Sequence, residues 1–204
     1  MTKRSEKRAD RGGGEVSATR GEIQEAAKRL IALQGFTATT VRQIARKVKM
    51  KAGSLYYHYG GKDEILVDIL DEGNRRLLDS ANRVLMRNPG DVPSTLRELI
   101  HEHIRVLAED PAQFMVVTRE LNRLKGGQRR RIVAQRDQYE RVIQGVLVRG
   151  IREKSIRPCD VKIASFGLIA SLNGVAYWFK PEGRLSIQQI AEEYSGVLLD
   201  GLRA

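Results

Sequence analysis

A chain of 204 residues with 36 Lys and Arg against 25 Asp and Glu, a formal net charge of +11, has room for a small head of about 60 residues and a larger second domain, each able to bury a core. Its single cysteine, Cys159, excludes an intramolecular disulfide and reads as a spectator. No apolar run reaches the length of a membrane span and the N-terminus lacks the apolar core of a signal peptide, so a cytoplasmic protein with no membrane partner is expected. The charge is uneven: residues 1–62 hold 14 basic and 5 acidic side chains, a net +9, which leaves +2 for the other 142. Such an asymmetry faces a polyanion, either DNA or, as the alternative, an anionic membrane surface.

Residues 1–18 are polar, without apolar periodicity, and include Gly12-Gly13-Gly14. They read as a disordered basic tail whose Lys3, Arg4, Lys7, Arg8 and Arg11 either reach a minor groove or are simply solvated. Thr19 with Glu22 is a capping box, and Ile23, Ala26, Ala27, Leu30 and Leu33 define an amphipathic helix that ends at Gly35. Thr40 with Gln43 starts a second helix; Val41, Ile44, Ala45 and Val48 form its apolar stripe and Arg42, Arg46 and Lys47 project elsewhere. Val48-Lys49-Met50 then carries a turn, and Lys51–Tyr57 a third helix held inward by Leu55. The rest of that helix surface, Lys51, Ser54, Tyr56, Tyr57 and His58, offers donors and flat rings and no carboxylate. Two short helices around a tight turn with a basic outer face make a helix-turn-helix suited to a phosphate-lined groove.

The same stretch resembles the signature of the TetR family of one-component repressors. Thr39-Thr40-Val41-Arg42-Gln43-Ile44-Ala45 is similar to the family's second helix, and Gly53-Ser54-Leu55-Tyr56-Tyr57-His58-Tyr59 followed by Lys62-Asp63-Glu64 to its third helix and the start of its fourth. Tyr59 stands where the family usually has Phe, and Gly60-Gly61 is a looser link than most members carry, one that could let the head move. The resemblance implies an all-α fold: an N-terminal three-helix helix-turn-helix head over residues 19–62, running to about 77 with the start of a connecting helix, and a larger helical effector-binding and dimerisation domain over 78–204. It also implies that Thr40, Tyr56, His58 and Lys62 grip the phosphates of a double-stranded operator, while Arg42, Lys51, Ala52, Gly53, Ser54 and Tyr57 face base edges or their neighbours.

From Lys62 to about Met86 runs one long helical pattern with Ile65, Leu66, Ile69, Leu70, Leu77, Leu78, Ala81 and Val84 inward. It joins head to body without a flexible linker and can carry a change in the body to the recognition helix. Asn88-Pro89-Gly90 breaks it, Pro93-Ser94 opens a helix that runs to Asp110-Pro111, a further helix spans about 112–124 and ends at Gly126-Gly127, and a long helix with the basic start Arg129-Arg130-Arg131 runs to Glu153. Between Asp160 and Trp178 the apolar residues lie all round, so burial on both sides is expected, with Ala164, Gly167, Ser171, Gly174 and Trp178 sharing one face. Ser186 with Gln189 caps a last helix whose stripe of Ile187, Ile190, Tyr194, Val197 and Gly201 wants a partner. The family resemblance makes these two helices half of a four-helix interface in a homodimer; a core pair within a monomer is the alternative.

Nothing in the chain carries catalysis as a motif: there is no phosphate loop, dinucleotide fingerprint, zinc-protease motif or nucleophile elbow, so neither an enzyme nor a cofactor is expected, an all-helical enzyme whose site is assembled from distant residues being the alternative. His101 and His103 are two apart, about 200° around a helix, cannot chelate a metal together and read as surface histidines. The body resembles members that sense acyl-coenzyme A thioesters, in Ile156-Arg157-Pro158 and in Tyr177-Trp178-Phe179-Lys180-Pro181-Glu182-Gly183 followed by Leu185. A small hydrophobic effector, an acyl-coenzyme A or alternatively a lipophilic drug, is thereby implied. The apolar faces of the body helices offer Leu107, Phe114, Met115, Thr118, Leu121, Tyr139, Ile143, Phe166, Leu172 and Trp178 as cavity walls, most of which serve equally well as plain core. Arg119, Arg123 and Arg129–Arg131 are the nearest cations in sequence for the phosphates of a thioester.

Overall fold

Reciprocal caps open three of the helices. Thr19, Thr40 and Ser186 each accept the third helical N–H at 3.2 Å, while Glu22, Gln43 and Gln189 reach back to the cap N–H at 2.7, 2.8 and 2.9 Å. They start α1 (Arg20–Gln34), α2 (Val41–Lys47) and α9 (Ile187–Asp200). Asp91, Asp110 and Asp160 cap α5 (Val92–Glu109), α6 (Pro111–Arg119) and α8 (Val161–Trp178), and a proline sits in the first turn of α5 and of α6, where its missing N–H has no partner to lose. The remaining helices are α3 (Ala52–Leu55), α4 (Lys62–Arg87) and α7 (Gly126–Arg152). The computed structural model describes residues 18–87 and 90–203, so the basic tail short of Ala18, and Asn88 and Pro89 of the expected break, lie outside the described residues. Among the described residues there is no strand, only an isolated bridge between Ile156 and Arg203, and no helix is long and apolar enough to cross a membrane.

Four elements depart from expectation. The third helix is one turn, and Tyr56 and Tyr57 continue it as tight turns that donate to Gly53 and Ser54 carbonyls, both at 3.2 Å. α6 stops at Arg119, a 3-10 turn follows over Leu121–Arg123, and Gly126-Gly127 opens α7 instead of ending α6. The cause is tertiary: Leu124 is drawn into the head core, and Gly126 turns the chain at φ +54° into the next helix. Leu33 is 84% exposed, because Ile23, Ala27 and Ile31 set the buried face of α1. α8 is not buried on both sides. Ser165, Leu168, Leu172 and Val175 face inward, whereas Ile163, Phe166, Tyr177 and Trp178 face out, since α5, α6 and α7 all pack on its inner side.

Two apolar cores result, and α4 serves both. Its first half packs Ile65, Leu66, Ile69 and Leu70 against Ile23, Ile31, Ile44 and Leu55; its second half packs Leu77, Ala81 and Val84 against Leu96, Ile104, Leu107 and Leu147. With 26 residues α4 is about 39 Å long, enough to span head and body as one rod. The head core is not closed by head residues alone: Val116, Val117, Leu124 and Ile132 belong to it. α6 therefore lies between the two cores. It crosses α4 at Gly73, where an added Cβ would stand 2.5 Å from Val117 Cγ2 and 2.7 Å from Gln113 Nε2, and the Gln113 amide donates to the carbonyl of Ile69.

Gly73→Ala is expected to force α6 off α4. Overpacking costs about 1–3 kcal/mol and the helix-propensity gain returns at most about 1, so a Tm lower by roughly 3–6 °C in a thermal melt is the expected outcome. An unchanged or higher Tm shows that the crossing yields.

Candidate nucleic-acid interface and effector cavity

The turn between α2 and α3 is held by backbone bonds. Met50 N–H donates to Ala45 O at 2.9 Å and Lys49 takes the left-handed conformation at φ +56°, which fixes the angle between the helices. With Leu55 buried beneath, the outer face of the pair presents Arg42, Arg46, Lys47 and Lys49, none of which has an ion pair among the described residues. Beside them stand Tyr56, 57% exposed, and Tyr57, 91% exposed. An aromatic ring left in water at the tip of a rigid element gains nothing in the free protein. Lys51 and Gly53 are exposed, Ala52, Ser54 and His58 half-buried, and an added Cβ at Gly53 would meet nothing within 4 Å.

Two of the residues expected to grip phosphate have their polar atoms engaged within the head. Lys62 Nζ donates to the carbonyls of Phe36 and Thr39 at 2.6 and 2.7 Å and lies 4.2 Å over the Phe36 ring. The Thr40 hydroxyl accepts from Gln43 N and donates to Gln43 Oε1 at 3.0 Å. Arg20 gathers the far side of the head: it donates to Asp68 at 2.9 Å, to Glu64 at 3.0 Å and to the His58 carbonyl at 3.2 Å, over the Tyr59 ring. The Asp68 hydrogen bond raises the Arg20 pKa above its usual value, and burial pushes the Tyr59 phenol up to about 12. Tyr59 is buried and its hydroxyl donates to Arg20 O at 3.3 Å, so the hydroxyl absent from phenylalanine is used. Gly60-Gly61 is not a free link either, because Gly60 N–H donates to Glu64 Oε2 at 2.8 Å, which holds the Glu64 carboxyl below its usual pKa.

In the body, a cavity of about 90 Å³ lies between α4, α6, α7 and α8, lined by Asn74, Leu77, Val117, Thr118, Arg136, Tyr139, Glu140, Phe166, Ile169 and Asn173. A larger hollow of about 940 Å³ is an open trough on the head along α1 and Lys47–Lys49, with no enclosing wall. Behind the body cavity His103 is 1% exposed, which corrects the expectation of a surface histidine. Its Nδ1 lies 2.8 Å from the Tyr139 hydroxyl and its Nε2 3.3 Å from Asn173 Oδ1. An amide oxygen only accepts, so Nε2 carries the proton and Nδ1 accepts from Tyr139. Burial pushes the His103 pKa down to about 4 and raises that of the Tyr139 phenol, so both are neutral near pH 7.

Residues 23–69 match the family described as bacterial regulatory proteins, tetR family, and residues 90–202 match the tetracyclin repressor-like C-terminal domain. The chain is 31% identical over 203 residues to the HTH-type transcriptional repressor KstR2 of Mycobacterium tuberculosis, covering 95% of this chain and 97% of that one. The chain belongs to the TetR family. It is a DNA-binding transcriptional regulator. The solved structure of the ketosteroid transcriptional regulator KstR2 of Mycobacterium tuberculosis superposes with a TM-score of 0.84 at 27% identity, over 94% of this chain and 98% of that one. AibR, solved in complex with isovaleryl coenzyme A and operator DNA, superposes with a TM-score of 0.81 at 26% identity, over 88% and 97% of the two chains.

Within this TetR-family body the structure brings together only part of the expected cavity wall. Thr118, Tyr139 and Phe166 line the cavity. Leu107, Phe114, Ile143 and Leu172 are buried in the body core, Met115 and Leu121 are half-buried, and Trp178 stacks on Tyr194 at the outer side of α8. The polar lining, Asn74, Arg136, Glu140 and Asn173, was not anticipated from the sequence, nor was His103 behind it. For His103 a signal existed: it lies four residues after Leu99 and four before Leu107, on the buried stripe of α5. Of the expected phosphate-binding cations, Arg119 lies 5.2 Å over the Tyr177 ring, Arg123 pairs with Glu120 at 3.4 Å and Arg131 with Asp71 at 2.5 Å, while Arg129 and Arg130 are exposed. Arg136 is the cation at the cavity itself.

A histidine neutral in the fold and free to protonate when unfolded makes stability fall on acidification. The contribution is intact above the unfolded pKa of about 6.5 and is lost as pH falls toward the folded value of about 4. Between pH 7 and 5 this amounts to about 2 kcal/mol. Urea titrations at both pH values are expected to show that loss in the native chain and a loss smaller by that amount in His103→Gln; equal pH dependence of the two proteins removes His103 as its source.

Proposed function

We propose that this chain is a cytoplasmic, homodimeric repressor, with a DNA-binding head over residues 19–62 reaching to about 77 and an effector-binding and dimerisation body over 78–204, and that a hydrophobic effector, an acyl-coenzyme A thioester, releases it from its operator without catalysis. The observation that carries the reading is the coupling of two features by one helix: an outward face of unpaired cations and rings on α2 and α3, and a cavity whose wall includes Asn74 and Leu77 of α4, the helix that enters from that same head. Support from relatives lies in the naming of KstR2 as a repressor and in the AibR complex with isovaleryl coenzyme A and operator DNA.

On DNA, Arg42, Lys51, Ala52, Gly53, Ser54 and Tyr57 face base edges and Tyr56 and His58 the phosphates, with Thr40 and Lys62 acting near the backbone while holding the head together. Ile163, Phe166, Tyr177 and Trp178 on α8 and Val197 on α9 are large apolar side chains that the protomer leaves in water, and a Cβ at Gly174 would meet nothing within 4 Å, so a second copy can approach closely there. The effector acts through displacement. A cavity of about 90 Å³ is well below the several hundred Å³ of pockets that hold drug-sized molecules, so binding requires α6, α7 and α8 to part. α6 cannot shift alone, because Asp110 at its start pairs with Lys28 of α1 and Glu120 at its end accepts the Phe36 N–H at 3.2 Å. A ligand that favours the wider cavity thereby favours a head position that misfits the operator, by as much as its affinities for the two states differ.

Arg42→Ala and Tyr57→Ala are each expected to weaken operator binding by about 1–3 kcal/mol, roughly 5- to 150-fold in a gel-shift series, while both proteins sediment as dimers. Unchanged affinity removes these side chains from the interface, and a monomeric native chain at operator-saturating concentration overturns the assembly.

For the effector, the DNA complex is titrated with long-chain and ring-derived acyl-coenzyme A compounds and, in parallel, with a panel of uncharged hydrophobic drugs. Release by the thioesters is expected; release by the drugs alone overturns the thioester and leaves the repressor.

A further inference from the structure

The cavity in the body is two-faced. Leu77, Val117, Phe166 and Ile169 give it an apolar side, and the remainder is polar. Asn74 is 5% exposed and its Nδ2 has no hydrogen-bond partner. Buried amide groups are almost always paired, so an unpaired one that lines a cavity is a position kept for something absent from the free protein. Asn173 adds a second amide. Its Oδ1 is taken by the Nε2 proton of His103, whose other nitrogen is satisfied by Tyr139, so the oxygen is fixed in place and the amide N–H groups are left without a protein partner among the described residues. Arg136 supplies the third donor and has no ion pair among the described residues. The one carboxylate in the lining, Glu140, accepts at Oε1 from Gln144 Nε2 at 2.5 Å and Ser165 Oγ at 3.5 Å and keeps Oε2 open among the described residues, and the Thr118 hydroxyl donates to Phe114 O at 2.8 Å. Against the open oxygens of Asn74 and Glu140 stand the amide N–H groups of Asn74 and Asn173 and the guanidinium N–H groups of Arg136, so unpaired donors are in excess, which is a demand for an acceptor.

Resting on the reading of this cavity as the effector site, we infer that it recognises an oxygen acceptor carried by a hydrophobic molecule, a carbonyl or carboxylate bound by the amide N–H groups of Asn74 and Asn173 and the guanidinium of Arg136. The His103 relay serves as the positioning device for Asn173. Space of about 90 Å³ admits a few water molecules, which hydrate the donors of Asn173 and Arg136 in the free protein, while Asn74 Nδ2 stays unpaired. A hydrocarbon that displaces those waters leaves all three donors unpaired, whereas a carbonyl replaces them. Discrimination of this kind is large because the unsatisfied site, not the missing bond, sets the penalty. Asn74 also lies on α4, so the acceptor pulls directly on the helix that holds the head.

The test uses the full chain and direct calorimetric binding, separate from any DNA readout, with two probe pairs: hexanoyl-coenzyme A against the thioether S-hexyl-coenzyme A, and decalone against decalin. Each pair differs at the carbonyl. The carbonyl member of at least one pair is expected to bind about tenfold tighter or more, the pair that responds telling a thioester from a free ketone. In Asn74→Leu the ratio falls to near one, while the Tm of the unliganded protein does not drop, because the variant removes an unpaired buried donor. Arg136→Gln weakens the carbonyl member alone and serves should Asn74→Leu not fold. Equal affinities within both pairs, or a ratio unaltered in both variants, overturn the inference. Failure of all four probes to bind overturns the effector-site reading beneath it; operator release by hexanoyl- and S-hexyl-coenzyme A alike overturns the acceptor and leaves the repressor.

Discussion

The structure depends on the crossing of α4 and α6 at Gly73. There the side chains of Val117 and Gln113 occupy the space a Cβ would need, and the Gln113 amide ties the two helices by its bond to Ile69 O. Because α4 supplies both cores, any element locked to its middle reports to both. α6 is such an element: Val116 and Val117 complete the head core, Phe114 sits in the body core, and Val117 and Thr118 wall the cavity. A packed crossing has few intermediate positions, since close-packed side chains deform little before they must repack. On the proposed reading, a change in cavity volume is thus taken up as a choice between arrangements of the head.

Charge is divided by the same logic. Arg20 and Lys62 are held by carboxylates and carbonyls inside the head, where their hydrogen bonds set the relation of α1, α3 and α4. Arg42, Arg46, Lys47 and Lys49 have no such partners among the described residues. The first group gives the recognition surface its shape and the second its field. A chain with a net +9 in residues 1–62 pays an electrostatic self-repulsion that only a polyanion removes, and counterion release on binding DNA is the favourable term that follows.

Much of the fold was legible because its determinants are local. Capping boxes at Thr19, Thr40 and Ser186 and the continuous pattern of α4 depend on residues three and four apart, and they stand where expected. The misreadings each involve a partner distant in sequence. Gly126-Gly127 looks like a stop until Leu124 is seen to be pulled into the head core. α8 looks fully buried because its composition is suited to two neighbours, of which the protomer supplies those on one side. Of the ten expected wall residues, Thr118, Tyr139 and Phe166 line the cavity and follow from apolar periodicity, whereas Asn74, Arg136 and Asn173 in the wall and His103 behind it do not, because apolar periodicity passes over polar residues at buried positions.

Those polar positions are where folding and function pull apart. His103, Tyr139 and Asn173 form a satisfied neutral relay, and Asn74, on another helix, is left unsatisfied beside it. Stability alone would place leucine there, since an apolar side chain of similar size fills the space without stranding a donor. The apolar sides of α8 and α9 repeat the pattern with opposite polarity, hydrophobic surface left in water where a polar side chain would keep the protomer more soluble. At the head, Tyr57 does so once more. Each is unfavourable for the isolated protomer and becomes favourable only against a complementary surface, and the readings proposed above give each a different one: an oxygen acceptor inside the body, an apolar helix pair at its flank, and a groove at the head. α4 and α6 connect the first of these surfaces to the last, so on the proposed reading an effector that favours one arrangement of the two helices changes affinity at the head by as much as its affinities for the arrangements differ.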